Sequence, residues 1–168
     1  MFVFKKKYFL PIIFFCILLL TACGSVYEKK PEVYTKELSV LVDEEFCYTV
    51  FIKNFPAIKS FSIRIDFDKN YLAPVFVDER FYYTLSPLAD SSLVFTKHSY
   101  NSLVVGVTMT EAFSAGAEEM VLLVFKFKAK SPGDTAIHIV QTDTTFFSEN
   151  LNTPFSGYSV INSSIHIR

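Results

Sequence analysis

The sequence predicts an all-β protein, a two-sheet antiparallel sandwich, and three observations carry that prediction. Ser60 to Asp68, "SFSIRIDFD", alternates: Phe61, Ile63, Ile65 and Phe67 fall on one side, Ser60, Ser62, Arg64 and Asp66 on the other. A strand has a side-chain period of two, so this stretch reads as a half-buried strand with one wet face. From Glu37 onward the chain is a succession of short alternating or apolar runs separated by turn signals, with no sustained helical period. Some eight or nine runs at this spacing imply two packed sheets whose inner faces share one core.

Taken in chain order, the first residues belong to no fold. Lys5, Lys6 and Lys7 precede an apolar run from Phe9 to Leu20 and then small residues, which is the order of a secretory signal. Leu20-Thr21-Ala22-Cys23 matches the bacterial lipobox, in which the Cys is acylated and the chain is cut on its amino side. Residues 1–22 therefore read as a lipoprotein signal peptide and Cys23 as the lipidated first residue of an extracytoplasmic chain, held at the cell membrane or the outer membrane. The bland alternative is a transmembrane anchor or an ordinary secretory signal, and the run is short for a span. Acyl chains anchor strongly, each buried methylene contributing about 0.8 kcal/mol. Gly24 to Lys36 is charged, contains Pro31 and has no apolar period, so residues 23–36 read as a lipidated Cys and tether, reaching about 40 Å when extended.

Beyond residue 22 the chain holds 13 Lys and Arg against 17 Asp and Glu, a net charge of −4. With no dense basic run, a nucleic-acid partner is not expected. Cys16 leaves with the signal and Cys23 is acylated, so Cys47 is alone and makes no internal bridge; beside Phe46 it reads as a small buried hydrophobe. Residues 37–168 form one domain by length and apolar content.

Within that domain "ELSVLV" is the first candidate strand. "CYTVFIKNF" is the second, with Tyr48, Val50 and Ile52 on one face, and Ser60–Asp68 the third. "YLAPVFV" follows the turn Asp68-Lys69-Asn70, and a polar-aromatic loop runs from Asp78 to Ser91. "SLVFTKHS" and "SLVVGVTMT" form a hairpin across Tyr100-Asn101 by their spacing. "EMVLLVFKFKAK" is the most apolar strand, "DTAIHIVQ" follows Ser131-Pro132-Gly133, and "SVINSSIHIR" closes the chain.

Four of these stretches carry a family likeness. Lys53 to Val77, "SLVFTKHSYNSLVVGVTM", "VLLVFKFKAKSPGDTAIHI" and "NSSIHI" resemble, in order, the strands and turns of a cohesin domain over nearly all of Glu37 to Arg168. The resemblance implies a nine-stranded jelly-roll-like sandwich that binds dockerin-like modules and helps organise polysaccharide degradation at the cell surface. It implies a recognition surface on the outer face of one sheet, made by Ser60–Phe67, Ser92–His98, Ser102–Thr110 and Asp134–Gln141. Ser60, Ser62, Arg64 and Asp66 would lie there with Val104, Gly106 and Thr108, joined by His138 and Val140 if Ile137 and Ile139 point inward. Some cohesins carry Asn and Asp where this chain has Ser60 and Ser62, which implies a partner other than a standard cellulosomal dockerin.

Other chemistry is sparse. Phe81, Tyr82 and Tyr83 either stack on sugar rings as an aromatic platform or plug the sandwich edge, so polysaccharide is the alternative partner and a carbohydrate-binding lipoprotein the alternative function. Trp, the largest stacking surface, is absent. Phe146, Phe147, Phe155 and Tyr158 pose the same choice, with core closure favoured. No nucleophile elbow, metal-spaced His pair or phosphate loop appears in the sequence. His138 and His166 sit mid-strand without a third ligand nearby. The reading is a non-catalytic surface lipoprotein without cofactor or metal.

Overall fold

The computed structural model describes residues 29–85, 93–116, 118–148 and 153–168. Residues 1–22, read above as a signal peptide, and Cys23 lie outside them. The described residues form strands β1 (Glu32–Tyr34), β2 (Leu38–Val40), β3 (Glu45–Lys53), β4 (Ala57–Phe67), β5 (Leu72–Pro74), β6 (Phe76–Val77), β7 (Arg80–Phe81), β8 (Tyr83–Leu85), β9 (Leu93–Ser99) and β10 (Ser102–Ser114). They continue with β11 (Met120–Ala129), β12 (Gly133–Ile139), β13 (Thr145–Phe147), β14 (Ser159–Ile161) and β15 (Ser164–Ile167). One sheet runs β14-β1-β3-β11-β5 with β8 also on β11, and the other runs β2-β15-β12-β4-β10-β9 with β13 also on β4.

The two sheets face each other because each presents one apolar side. Phe46, Tyr48, Val50 and Ile52 alternate inward along β3, and Phe61, Ile63, Ile65 and Phe67 do so along β4. Ile63 and Ile65 are fully buried, and a fully buried side chain of this kind is worth about 1.5–3 kcal/mol relative to water. Across the core Phe67 meets Phe127 edge to face at 5.3 Å, and the Tyr48 hydroxyl donates to the Ile137 carbonyl at 2.9 Å. One end is closed by aromatic rings: Phe55 lies 4.7 Å from Phe146, and Phe146 lies 5.1 Å from Tyr158. Core closure is the role of Phe146, Phe155 and Tyr158 here.

Four details differ from the sequence reading. Glu32–Tyr34, assigned above to the tether, is strand β1, antiparallel to β3 and parallel to β14. Its Val33 is fully buried, so the folded domain begins ahead of Glu37. The sandwich is also not purely antiparallel. After Thr35, whose hydroxyl and carbonyl engage Ser163, the chain crosses to the other sheet, where β2 pairs in parallel with β15. The described part of the stretch from Asp78, up to Leu85, is not a loop: β6 and β7 form a hairpin, and β8 adds to β11, while residues 86–91 lie outside the described residues. Asp78 and Glu79 take φ of 51° and 65° at its tip, the primed turn that fits the twist of paired strands. Finally, Cys47 is exposed, because the alternation that turns Phe46 and Tyr48 inward turns Cys47 outward.

The turn at Gly133 behaves as its sequence suggests. Gly133 has φ of 137°, and a Cβ there would lie 2.8 Å from the Tyr71 ring; only glycine suits both constraints.

Candidate docking face on one sheet

In an antiparallel ladder, directly opposed residues point to the same side, so the registers fix which side chains share the outer face of β12-β4-β10-β9. One row joins His138, Asp66, Ser102 and Ser99; the next joins Arg64, Val104 and Lys97. A third joins Thr145, Ser62, Gly106 and Phe95, and a fourth Phe147, Ser60, Thr108 and Leu93. Ser60, Ser62, Arg64, Asp66, Val104, Thr108 and His138 are thus brought together on one surface. Ile137 and Ile139 are buried, which turns His138 outward.

Two strongly exposed apolar side chains of this face are ones the sequence reading did not single out: Leu93 is 80% exposed and Phe95 62%. They stand along one wall of a groove of about 340 Å³, with Thr145 and Phe147 opposite and Ser60, Ser62, Gly106 and Thr108 beneath. The floor is low because its residues are small. β13 supplies the far wall by taking over from β12 along the edge of β4: β12 pairs with Ile65–Phe67 and β13 with Ser60–Ser62.

Between those two strands lies a single 3-10 turn, Gln141–Asp143, and it controls Arg64. The Arg64 Nε and a terminal nitrogen donate to Asp66 at 2.9 and 3.1 Å, while the other terminal nitrogen donates to Asp143 at 2.6 Å. Its guanidinium is held further above its ordinary pKa by Asp66 first and Asp143 second. Arg64 is therefore already paired within the molecule. Lys97 and Arg64 border a second depression of about 210 Å³. Beyond it a third, of about 370 Å³, is lined by Asp66, Asp68, His138 and Tyr100 among others. Tyr100 is 75% exposed, with the Lys69 ammonium 3.6 Å from its ring centre.

The aromatic platform is not formed. Phe81 is buried and packs 6.1 Å from Phe125, Tyr82 is exposed with Lys126 at 6.0 Å, and Tyr83 turns back to pack against the core. Alternation along β7 and β8 splits the three between inside and outside, so they share no face for a sugar ring. His166 is also committed: Nδ1 contacts Asp134 at 2.7 Å and Nε2 contacts Glu37 at 2.9 Å. Among the described residues no three His, Cys, Asp or Glu side chains converge as a metal site.

Two facing sheets, an N-terminal strand that crosses between them and one broad open face define a class of protein: the chain has the cohesin fold. No protein-family model and no curated protein matches the sequence, but solved structures match the fold. A non-cellulosomal cohesin from the hyperthermophilic archaeon Archaeoglobus fulgidus is 14% identical, with 83% of this chain and 91% of that one covered at a TM-score of 0.65. The sixth cohesin of scaffoldin B from Acetivibrio cellulolyticus, solved in complex with a Cel5 dockerin variant, is 14% identical, with 83% and 100% covered at 0.66. The cohesin CaCohA2 from Clostridium acetobutylicum is 13% identical, with 85% and 94% covered at 0.65.

Proposed function

We propose that this chain is a non-catalytic protein-binding module. Its outer β12-β4-β10-β9 face captures a dockerin-like partner, and lipidated Cys23 holds the module at the cell surface within a polysaccharide-degrading or surface-assembly system. The observation that carries the reading is the pair Leu93 and Phe95, left 80% and 62% exposed over a groove with a floor of small residues. Large apolar side chains exposed beside a concavity are the usual anchors of a protein interface, because burying them against a partner supplies most of the affinity. The solved cohesin–dockerin complexes among the structural neighbours support the same class of partner. Ser60 and Ser62 favour a partner that fills the groove with apolar side chains over one that needs charged hydrogen-bond acceptors there. The Arg64–Asp66–Asp143 cluster, exposed and self-paired, sets orientation more than affinity.

The test is surface plasmon resonance of the full chain against a panel of purified dockerin modules, beside a glycan array. Capture of at least one dockerin is expected, weakened about tenfold or more by Phe95→Asp with the circular-dichroism melt retained. Binding of glycans with no dockerin captured would overturn the reading. The anchor is tested separately: radiolabelled palmitate should enter the protein in a bacterial host and not enter Cys23→Ser, and an unlabelled wild type removes the anchor from the proposal.

A further inference from the structure

The outer face of the other sheet has its own organisation. Register sets Ile161, Tyr34, Phe51 and Val121 side by side in one row across β14, β1, β3 and β11. Ile161 is 48% exposed and Val121 38%, and between them Tyr34 and Phe51 stack at 5.6 Å with their planes 23° apart. A bulge in β11 extends the row into a patch. Leu122 has no partner on β3, and Leu122 and Leu123 both turn inward, so Val121 and Val124 both face out. Val124 then lies beside Thr49 on one flank and Thr84 on the other, leaving the middle of the face without charge.

Around this patch four lysines are each paired with an acid of the same face: Lys36 with Glu119 at 2.6 Å, Lys53 with Glu32 at 2.8 Å, Lys126 with Glu45 at 2.6 Å and Lys128 with Asp43 at 3.0 Å. The Lys36 and Lys53 ammoniums also sit 4.3 and 5.1 Å from the ring centres of Phe51 and Tyr34. An uncharged centre inside a charged rim is the anatomy of a protein interface. Because the rim neutralises itself, the face offers no field to an anionic bilayer or a strongly charged protein. It also offers none that repels an identical face, and a self-complementary patch is what a two-fold interface requires.

We propose that this face pairs with the same face of a second copy, sheet on sheet, with the Ile161–Tyr34–Phe51–Val121 row at its centre. At the usual spacings of about 4.8 Å between strands and 3.3 Å along them, the face measures roughly 20 by 30 Å. Two copies then bury about 1,200 Å² in total, the lower limit of specific interfaces, so the dimer dissociates in the micromolar range. The pairing leaves both β12-β4-β10-β9 faces pointing outward. A membrane-tethered dimer would present two docking faces and gain avidity for a partner bearing two modules. The dimer itself does not rest on the dockerin reading.

The experiment is sedimentation equilibrium of the full chain in a density-matched detergent. The mass should rise from one chain toward two across the micromolar range. Ile161→Glu and Val121→Lys, both at exposed positions that leave the core intact, should each weaken the association about tenfold or more, whereas Phe95→Asp on the opposite face should leave it unchanged. A single-chain mass at every concentration, or association unmoved by both substitutions, would overturn the proposal. So would co-sedimentation of a single-chain species with phosphatidylserine vesicles that both substitutions abolish, which would assign the face to the bilayer.

Discussion

Arg64 on β4 and Asp143 in the turn after β12 meet at 2.6 Å across 79 residues of chain, and the same guanidinium grips Asp66 two residues along its own strand. The most conspicuous charge of the outer β12-β4-β10-β9 face is thereby satisfied within the molecule. A partner gains little by contacting it, and exposed pairs contribute little to stability.

From this the first prediction separates charge from groove. Arg64→Gln should change the affinity for a captured dockerin by no more than about threefold and leave the melting temperature within about 2 °C of wild type. Ser62→Arg, which raises the groove floor between Phe95 and Phe147, should weaken capture about tenfold or more. The double variant Ser62→Arg with Arg64→Glu should abolish capture while still melting cooperatively. Surface plasmon resonance and circular dichroism on the same preparations decide it: full binding by the double variant moves the docking site off this face.

Tyr48 supplies the second prediction. Its ring is buried against the opposite sheet, and its hydroxyl satisfies the carbonyl of Ile137, a fully buried residue. Tyr48→Phe strands that carbonyl, at a cost of about 1–3 kcal/mol, and should lower the melting temperature by about 3–10 °C. Burial also pushes the phenol up to about 12 from its ordinary 10.0. A folded-state pKa above the unfolded one means that the native protein keeps its proton longer, so this stabilisation is complete below pH 10 and disappears as pH climbs toward 12. Wild type should therefore lose stability more steeply than Tyr48→Phe across that interval. Parallel curves would show that the phenol carries no such weight.

How much of this was legible in the sequence depends on how local the signal is. The period-two runs of β4 and β10 are read directly, because each inward side chain meets the same core and each outward one the same solvent. β9 escapes that rule: Leu93, Val94 and Phe95 give an unbroken apolar run, and at the sheet edge even Val94 on the inner side stays 38% exposed. Its exposed groove residues Leu93 and Phe95 are therefore invisible as alternation. β1 is three residues in a charged segment, betrayed only by the register that buries Val33. Cys47 was readable, since its neighbours' parity points it outward, and the habit of cysteine to be buried misled. The Arg64–Asp143 pair is non-local and no spacing announces it.

The β6–β7 turn escaped for another reason, and it gives the third prediction. Asp78 and Glu79 both have positive φ, a conformation that strains residues with a Cβ and that sequence reading associates with glycine or asparagine. Relieving it at the second position should stabilise the hairpin. Glu79→Gly should raise the melting temperature by about 2–4 °C, corresponding to about 1 kcal/mol of removed strain. Glu79→Val, which is β-branched, should lower it by at least as much. Thermal melts of the two variants test the pair; a fall in both would mean that Glu79 makes a contact worth more than its backbone strain.

The last prediction concerns pH. His166 on β15 contacts Asp134 on β12 through one ring nitrogen and Glu37, which precedes β2, through the other, so one imidazole clips three segments at the sheet edge. Asp134 first and Glu37 second raise its pKa above the ordinary 6.5. With the folded value above the unfolded one, the native state binds the proton more tightly. The stabilisation is therefore complete below about pH 6.5 and is lost as pH rises through the folded value. The melting-temperature gap between wild type and His166→Gln should be wide at pH 5.5 and narrow as pH rises above the ordinary imidazole value toward 9. Added salt should narrow it, because all three groups are solvent-accessible and screened. A gap that stays constant from pH 5.5 to 9 would mean that His166 acts through packing alone, with the charge of its ring irrelevant to how the edge is held.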